Sequence, residues 1–129
     1  MIVLDAFSSD AIPVHLLTRE ALGMYVERLT PHGVIAFHVS NRNMELASVV
    51  AAFGKAEGLA IYDKQDDQVS DFTKDYRANA EVVVLARNAA DLGELPSWRG
   101  WRELDPTPGV AEWTDDYCDL LRAILRKRL

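Results

Sequence analysis

The chain is short of the residues that staple, breach or span. One cysteine, Cys118, stands among its 129 residues, so no internal disulfide can form and no thiolate cluster can hold zinc. A reducing compartment follows, and the expected location is cytoplasmic. No apolar run nears the roughly 18–20 residues of a membrane helix. The opening "MIVLDAF" has neither the basic flank nor the length of a secretory leader, so no membrane contact is expected. Cations are outnumbered, 14 Lys and Arg against 20 Asp and Glu, for a formal net charge of −6. A surface of that sign repels nucleic acid, which drops out as a partner.

What the chain does hold is core. At 49% hydrophobic residues it can build a single globular unit, and its apolar runs come in a recognisable order. Residues 2–4 (IVL) and 34–40 (VIAFHVS) are apolar without alternation, which reads as strands buried on both faces. Between them Thr18 can cap a helix carrying Glu20 in its first turn and Ala21, Leu22, Tyr25, Val26 and Leu29 at helical spacing, ending near Pro31 and Gly33. Asn43 can cap a second helix with Leu46, Val49, Val50 and Phe53 on one face and Gly58 as its left-handed stop.

Residues 59–63 make a third strand, and residues 81–87 (EVVVLAR) a fourth. The polar connection at 64–79 has the length of a binding loop or lid, and equally that of a plain surface loop. Residues 88–113 look irregular and hold all three tryptophans. A last helix is expected to open at Thr114 or Asp115, with Leu120, Leu121, Ile124 and Leu125 as its stripe. Arg122, Arg126, Lys127 and Arg128 crowd its carboxyl end, where solvent and the helix dipole favour cations.

Strand, helix, strand, helix, strand, strand describes α/β architecture, and right-handed crossovers put both helices on one face of the sheet. The other face then needs the tryptophan-rich segment, the last helix or a second chain. Ligands of such sheets sit at the carboxyl ends of parallel strands. Here those ends are polar: Asp5, Ser8, Ser9 and Asp10 after the first strand, and Ser40 and Asn41 after the second. Asp5 and Asp10 can hold two carboxylates over one crevice, binding an ammonium group and taking its proton. The same residues can instead form side-chain turns to nearby amides. Ser8, Ser9, Ser40, Asn41 and, in the 64–79 connection, Tyr76 are the candidate substrate contacts. His15, His32 and His38 are scattered without metal-ligand spacing; His38, inside a strand, reads as a core imidazole, and Cys118 as a packed side chain.

Three stretches, "LDAFSSDAIPVHLLTREAL", "GVIAFHVSNR" and "WTDDY", resemble the second half of the spermidine synthase-like proteins, which have the class I S-adenosylmethionine-dependent methyltransferase fold. The resemblance implies a partial Rossmann-like sheet: strands four to seven of seven, the last antiparallel and inserted between the two before it, with flanking helices and a carboxyl-terminal helix. It implies transfer of an aminopropyl or methyl group from decarboxylated S-adenosylmethionine or S-adenosylmethionine to an amine, with Asp5 deprotonating the amine and Asp10 as second carboxylate. Two departures leave the acceptor open: Ala6 and Phe7 separate Asp5 from Ser8, and Ala11 stands where the family has proline. The chain also carries no glycine-rich loop of the kind that cradles a nucleoside. It is therefore expected to be a carboxyl-terminal half-domain, residues 1–129, that binds no cofactor alone. Its expected partner is the missing half, or a second copy docked on its strand edge and apolar face.

Overall fold

Val82, Val83, Val84 and Leu85 are consecutive apolar residues, three of them β-branched, a run suited to a strand covered on both faces. In the computed structural model, which describes residues 1–7, 13–41, 43–66 and 80–128, that run lies at the middle of the sheet. The strands β1 (Ile2–Leu4), β2 (Val34–His38), β3 (Ala60–Asp66), β4 (Ala80–Ala86) and β5 (Trp101–Glu103) are ordered β1-β2-β4-β3-β5. β1 and β2 are parallel, while β4 sits between β2 and β3 and is antiparallel to both. The molecule is thus a mixed α/β fold with the fourth strand inserted between the two before it.

Among the described residues three helices flank the sheet: α1 (Arg19–Arg28), α2 (Ala47–Ala56) and α3 (Leu120–Arg128). Thr18 caps α1, its Oγ1 accepting from the Ala21 amide at 3.3 Å. The far end of α1 is closed from a distance. The Arg87 guanidinium donates to the carbonyls of Val26, Leu29 and Thr30 at 2.7, 3.1 and 2.6 Å, satisfying acceptors that the helix leaves open. Gly58, at φ 68°, ends α2, with the Leu59 amide returning to the Gly54 carbonyl at 2.8 Å.

Leu22 of α1, Leu29 at its carboxyl cap, and Val49, Val50 and Phe53 of α2 share one buried cluster with Ile35, Phe37, Ile61, Val83 and Leu85. Both helices cover the same face, as right-handed crossovers require. Trp113 and Ala123 close this cluster, so α3 also packs on the helix side. The second face is lined by Val34, Ala36, Tyr62, Val84 and Ala86 and covered by Leu92, Leu95 and Trp101. Of the three covers considered for that face, the tryptophan-rich segment provides it.

Several expectations need correction. β1 is not buried on both faces: Val3 is 59% exposed, because β1 is an edge strand and the second-face cover packs on β2, β3 and β4 instead. Residues 88–113 are less irregular than their composition suggests. They form 3-10 turns at Ala89–Leu92 and Leu95–Ser97, and β5, which pairs with β3. β5 exists through tertiary pairing, with the Arg102 guanidinium donating to both oxygens of the fully buried Asp63 at 2.8 and 3.0 Å. Asn43 does not cap α2; Glu45 Oε1 takes the Ser48 amide at 2.8 Å instead.

The last helix opens later than expected, at Leu120, with Asp119 Oδ1 accepting from the Arg122 amide at 3.0 Å. Thr114 and Tyr117 instead close a tight reversal by reciprocal backbone bonds. The inward stripe of α3 is also rotated. Ala123 is fully buried and Leu120 and Ile124 partly so, whereas Leu121 and Leu125 face solvent. Among the described residues no helix is long and apolar enough to cross a membrane.

Gly54 marks a close approach of α2 to the sheet, where an added Cβ would lie 2.8 Å from both Cδ1 and Cγ1 of Ile61. Alanine gains about 1 kcal/mol of helix propensity over glycine, but overpacking a filled core costs about 1–3 kcal/mol. Gly54→Ala is therefore expected to lower stability by up to about 2 kcal/mol in chemical denaturation, against the sign that propensity alone gives.

Candidate functional site

The parallel ladder between β1 and β2 pairs Leu4 with Phe37. One step further in the same register come Asp5 and His38, which alternation turns to the face opposite the helices. Their side chains meet at 2.7 Å, Asp5 Oδ1 to His38 Nδ1, with the imidazole 34% and the carboxylate 62% exposed. The pair stands at the carboxyl ends of parallel strands, where α/β sheets hold their ligands. His38 is thus not a core imidazole as expected. Its strand parity carries it past the end of the apolar cover.

The chain just beyond this pair is anchored. Phe7 is fully buried, and its carbonyl accepts from Asn41 Nδ2 at 2.7 Å, joining the turns that follow β1 and β2. Asn41 Oδ1 also accepts from the amides of Asn43 and Met44 at 2.9 and 3.0 Å. Ser40 Oγ accepts from the Glu81 amide at 2.7 Å, and the Val39 amide donates to the Glu81 carbonyl at 2.9 Å. Ser40 and Asn41, candidate substrate contacts, are placed beside the Asp5–His38 pair, and their described hydrogen bonds go to backbone. Ser8, Ser9, Asp10 and Tyr76 lie outside the described residues.

In this geometry His38 donates its Nδ1 proton to Asp5, which fixes the neutral tautomer and leaves Nε2 as a base. Among the described residues the other Asp5 oxygen has no partner, and it can accept from a cation. An oriented imidazole next to a carboxylate can bind an ammonium group and take its proton. Among the described residues no third His, Cys, Asp or Glu joins the pair in a metal-binding group.

A second histidine–carboxylate pair serves as contrast. His32 Nδ1 lies 2.8 Å from Asp91 Oδ1, and that hydrogen bond holds the Asp91 carboxyl below its ordinary value. This pair sits at the turn leading into β2, away from the carboxyl edge. Asp91 also makes a capping box with Asn88, so its geometry is explained by tying the 3-10 turn to the sheet.

His38 is the candidate site residue that the sequence does not single out, although a signal exists. Asp5 and His38 each close an apolar run, and pairing the runs in parallel puts them side by side. With nitrogen-15 NMR, neutral His38 is expected to carry its proton on Nδ1. Asp5→Ala should move most of the neutral population to the Nε2 tautomer, as removal of the acceptor requires.

Comparison with protein-family models, with curated proteins and with solved structures finds no match to this chain.

Proposed function

We propose that Asp5 and His38 form the acceptor side of an amine-directed group transferase resembling the spermidine synthase-like proteins, with Asp10 as a second carboxylate. The observation that carries the reading is the 2.7 Å contact between Asp5 and His38 at the carboxyl end of two parallel strands. The strand order, with β4 inserted antiparallel between β2 and β3, supports the partial class I methyltransferase sheet.

An aliphatic amine has a pKa near 10 and is protonated at neutral pH, and only its neutral form can attack carbon. The other oxygen of Asp5 would hold the ammonium and take one proton from it, with His38 Nδ1 orienting the carboxylate. A donor of the S-adenosylmethionine type supplies an electrophilic carbon beside a sulfonium. The nitrogen lone pair forms the new C–N bond, the C–S pair leaves on sulfur as a thioether, and the nitrogen then sheds its second proton. The sequence has no glycine-rich loop to hold the nucleoside, so no donor contact is assigned to this chain. Polypeptide beyond it would bring the donor.

Binding of the acceptor does not depend on that partner. Titrating putrescine into the protein is expected to move the His38 ring signals in NMR saturably. Asp5→Asn should weaken the binding about tenfold, the scale of one charge-assisted hydrogen bond. A His38 ring that does not respond to the diamine would refute the acceptor site.

The exposure of Val3 favours a second reading of the same edge. A bare parallel strand with exposed apolar groups invites another strand, and Met1 and Val3 are 86% and 59% exposed. Under this reading the chain is a non-catalytic half-domain that pairs with a second copy through β1. Light scattering would then find a dimer that Val3→Lys converts to monomer.

A further inference from the structure

A cavity of about 550 Å³ opens beside the carboxyl end of β3, within the range of small-molecule sites. It arises from strand parity. Ile61 and Asp63 share a face on β3, as do Leu85, Val83 and Glu81 on β4; the apolar members fill the core, and the acidic ones continue past it. The amino end of α2 brings Glu45 and Ser48 to the cavity, and the carboxyl end of α3 brings Arg126 and Lys127. The basic end of α3 is therefore not only a solvated terminus.

Most of the wall is self-satisfied. Asp63 is held by Arg102, Glu45 by Arg126 at 2.9 Å, and the Ser48 and Thr107 hydroxyls bond each other at 2.7 Å. Two charges are left over. Among the described residues neither the Glu81 carboxylate nor the Lys127 ammonium has a hydrogen-bond or ion-pair partner. Burial pushes the Glu81 carboxyl above its ordinary value; Glu45 and Asp63 push it further up, and Lys127 and Arg102 pull it back.

The lining acids Glu45, Asp63 and Glu81 equal the lining bases Arg102, Arg126 and Lys127 in number. A polyamine or a dicarboxylate would meet as many like charges as opposite ones. A ligand with both signs meets the two uncommitted groups in matching sense. We propose that this cavity binds a free α-amino acid, its ammonium on Glu81 and its carboxylate on Lys127. The site is separate from the Asp5–His38 pair, and it stands whether or not that pair handles amines.

The test reads the Gln65 side-chain amide, which lines the cavity, by NMR in the unaltered protein. L-glutamine, L-methionine and L-arginine are titrated at neutral pH, with putrescine and glutarate as single-signed controls. At least one amino acid is expected to shift the Gln65 signals saturably, and both controls to leave them in place. Glu81→Gln and Lys127→Met, each checked for native folding by circular dichroism, should weaken that binding about tenfold. The proposal is overturned if no amino acid moves Gln65, if a control moves it equally, or if both folded variants bind as the parent does. Reading Gln65 rather than His38 keeps failure here distinct from failure of the amine site.

Discussion

Val83 and Leu85 of β4 enter the helix-side cluster while Val82, Val84 and Ala86 enter the other, so a single strand ties both faces of the sheet together. Its backbone does the same along the sheet. From Val82 to Ala86 every residue is paired with β2 on one side and with β3 on the other. Without β4 the sheet separates into β1 with β2 and β3 with β5, and neither pair has enough apolar area to stand alone in water. Because β4 is antiparallel, its amino end lies with the carboxyl ends of β2 and β3. Glu81 thereby reaches the same edge as His38 and Asp63.

Much of this frame was legible in the sequence. The runs at 34–40 and 81–87 are apolar at nearly every position, and such strands have few alternatives. Thr18 and Gly58 act locally, through a side-chain oxygen and a left-handed backbone, so they could be read without knowing the fold. β5 could not. Its three residues carry no periodicity, and they become a strand because Arg102 reaches the buried Asp63 across β3. The start of α3 was misread for a related reason: Thr114, Asp115 and Asp119 can all cap, and the choice fell to the Thr114–Tyr117 reversal and the docking of Ala123 under Glu45.

The candidate site was legible in half. Asp5 stands out as the acid that ends an apolar run. His38 does not, because a histidine within an apolar run usually packs, and only the register shows that the cover has ended. The charged lining of the cavity was hidden for a different reason. Glu45, Glu81 and Lys127 come from three elements distant in sequence, and a cluster assembled that way has no spacing to read.

One residue joins the two ends of this edge, and it does so with separable parts. The backbone of Glu81 holds the turn after β2, its amide on Ser40 Oγ and its carbonyl on the Val39 amide. Its side chain faces the cavity beside β3. A substitution that keeps the backbone and only neutralises the carboxylate leaves the anchoring of the Asp5–His38 turns intact. It also removes a half-buried charge whose pKa is raised, and the sign follows from linkage. A carboxyl whose folded pKa lies above its unfolded value weakens the folded state once pH exceeds that window, and the penalty vanishes below it. At neutral pH the uncharged side chain is thus no weaker a member of the fold than the native one. Stability therefore does not account for the charge at position 81, whereas the proposed ammonium ligand would.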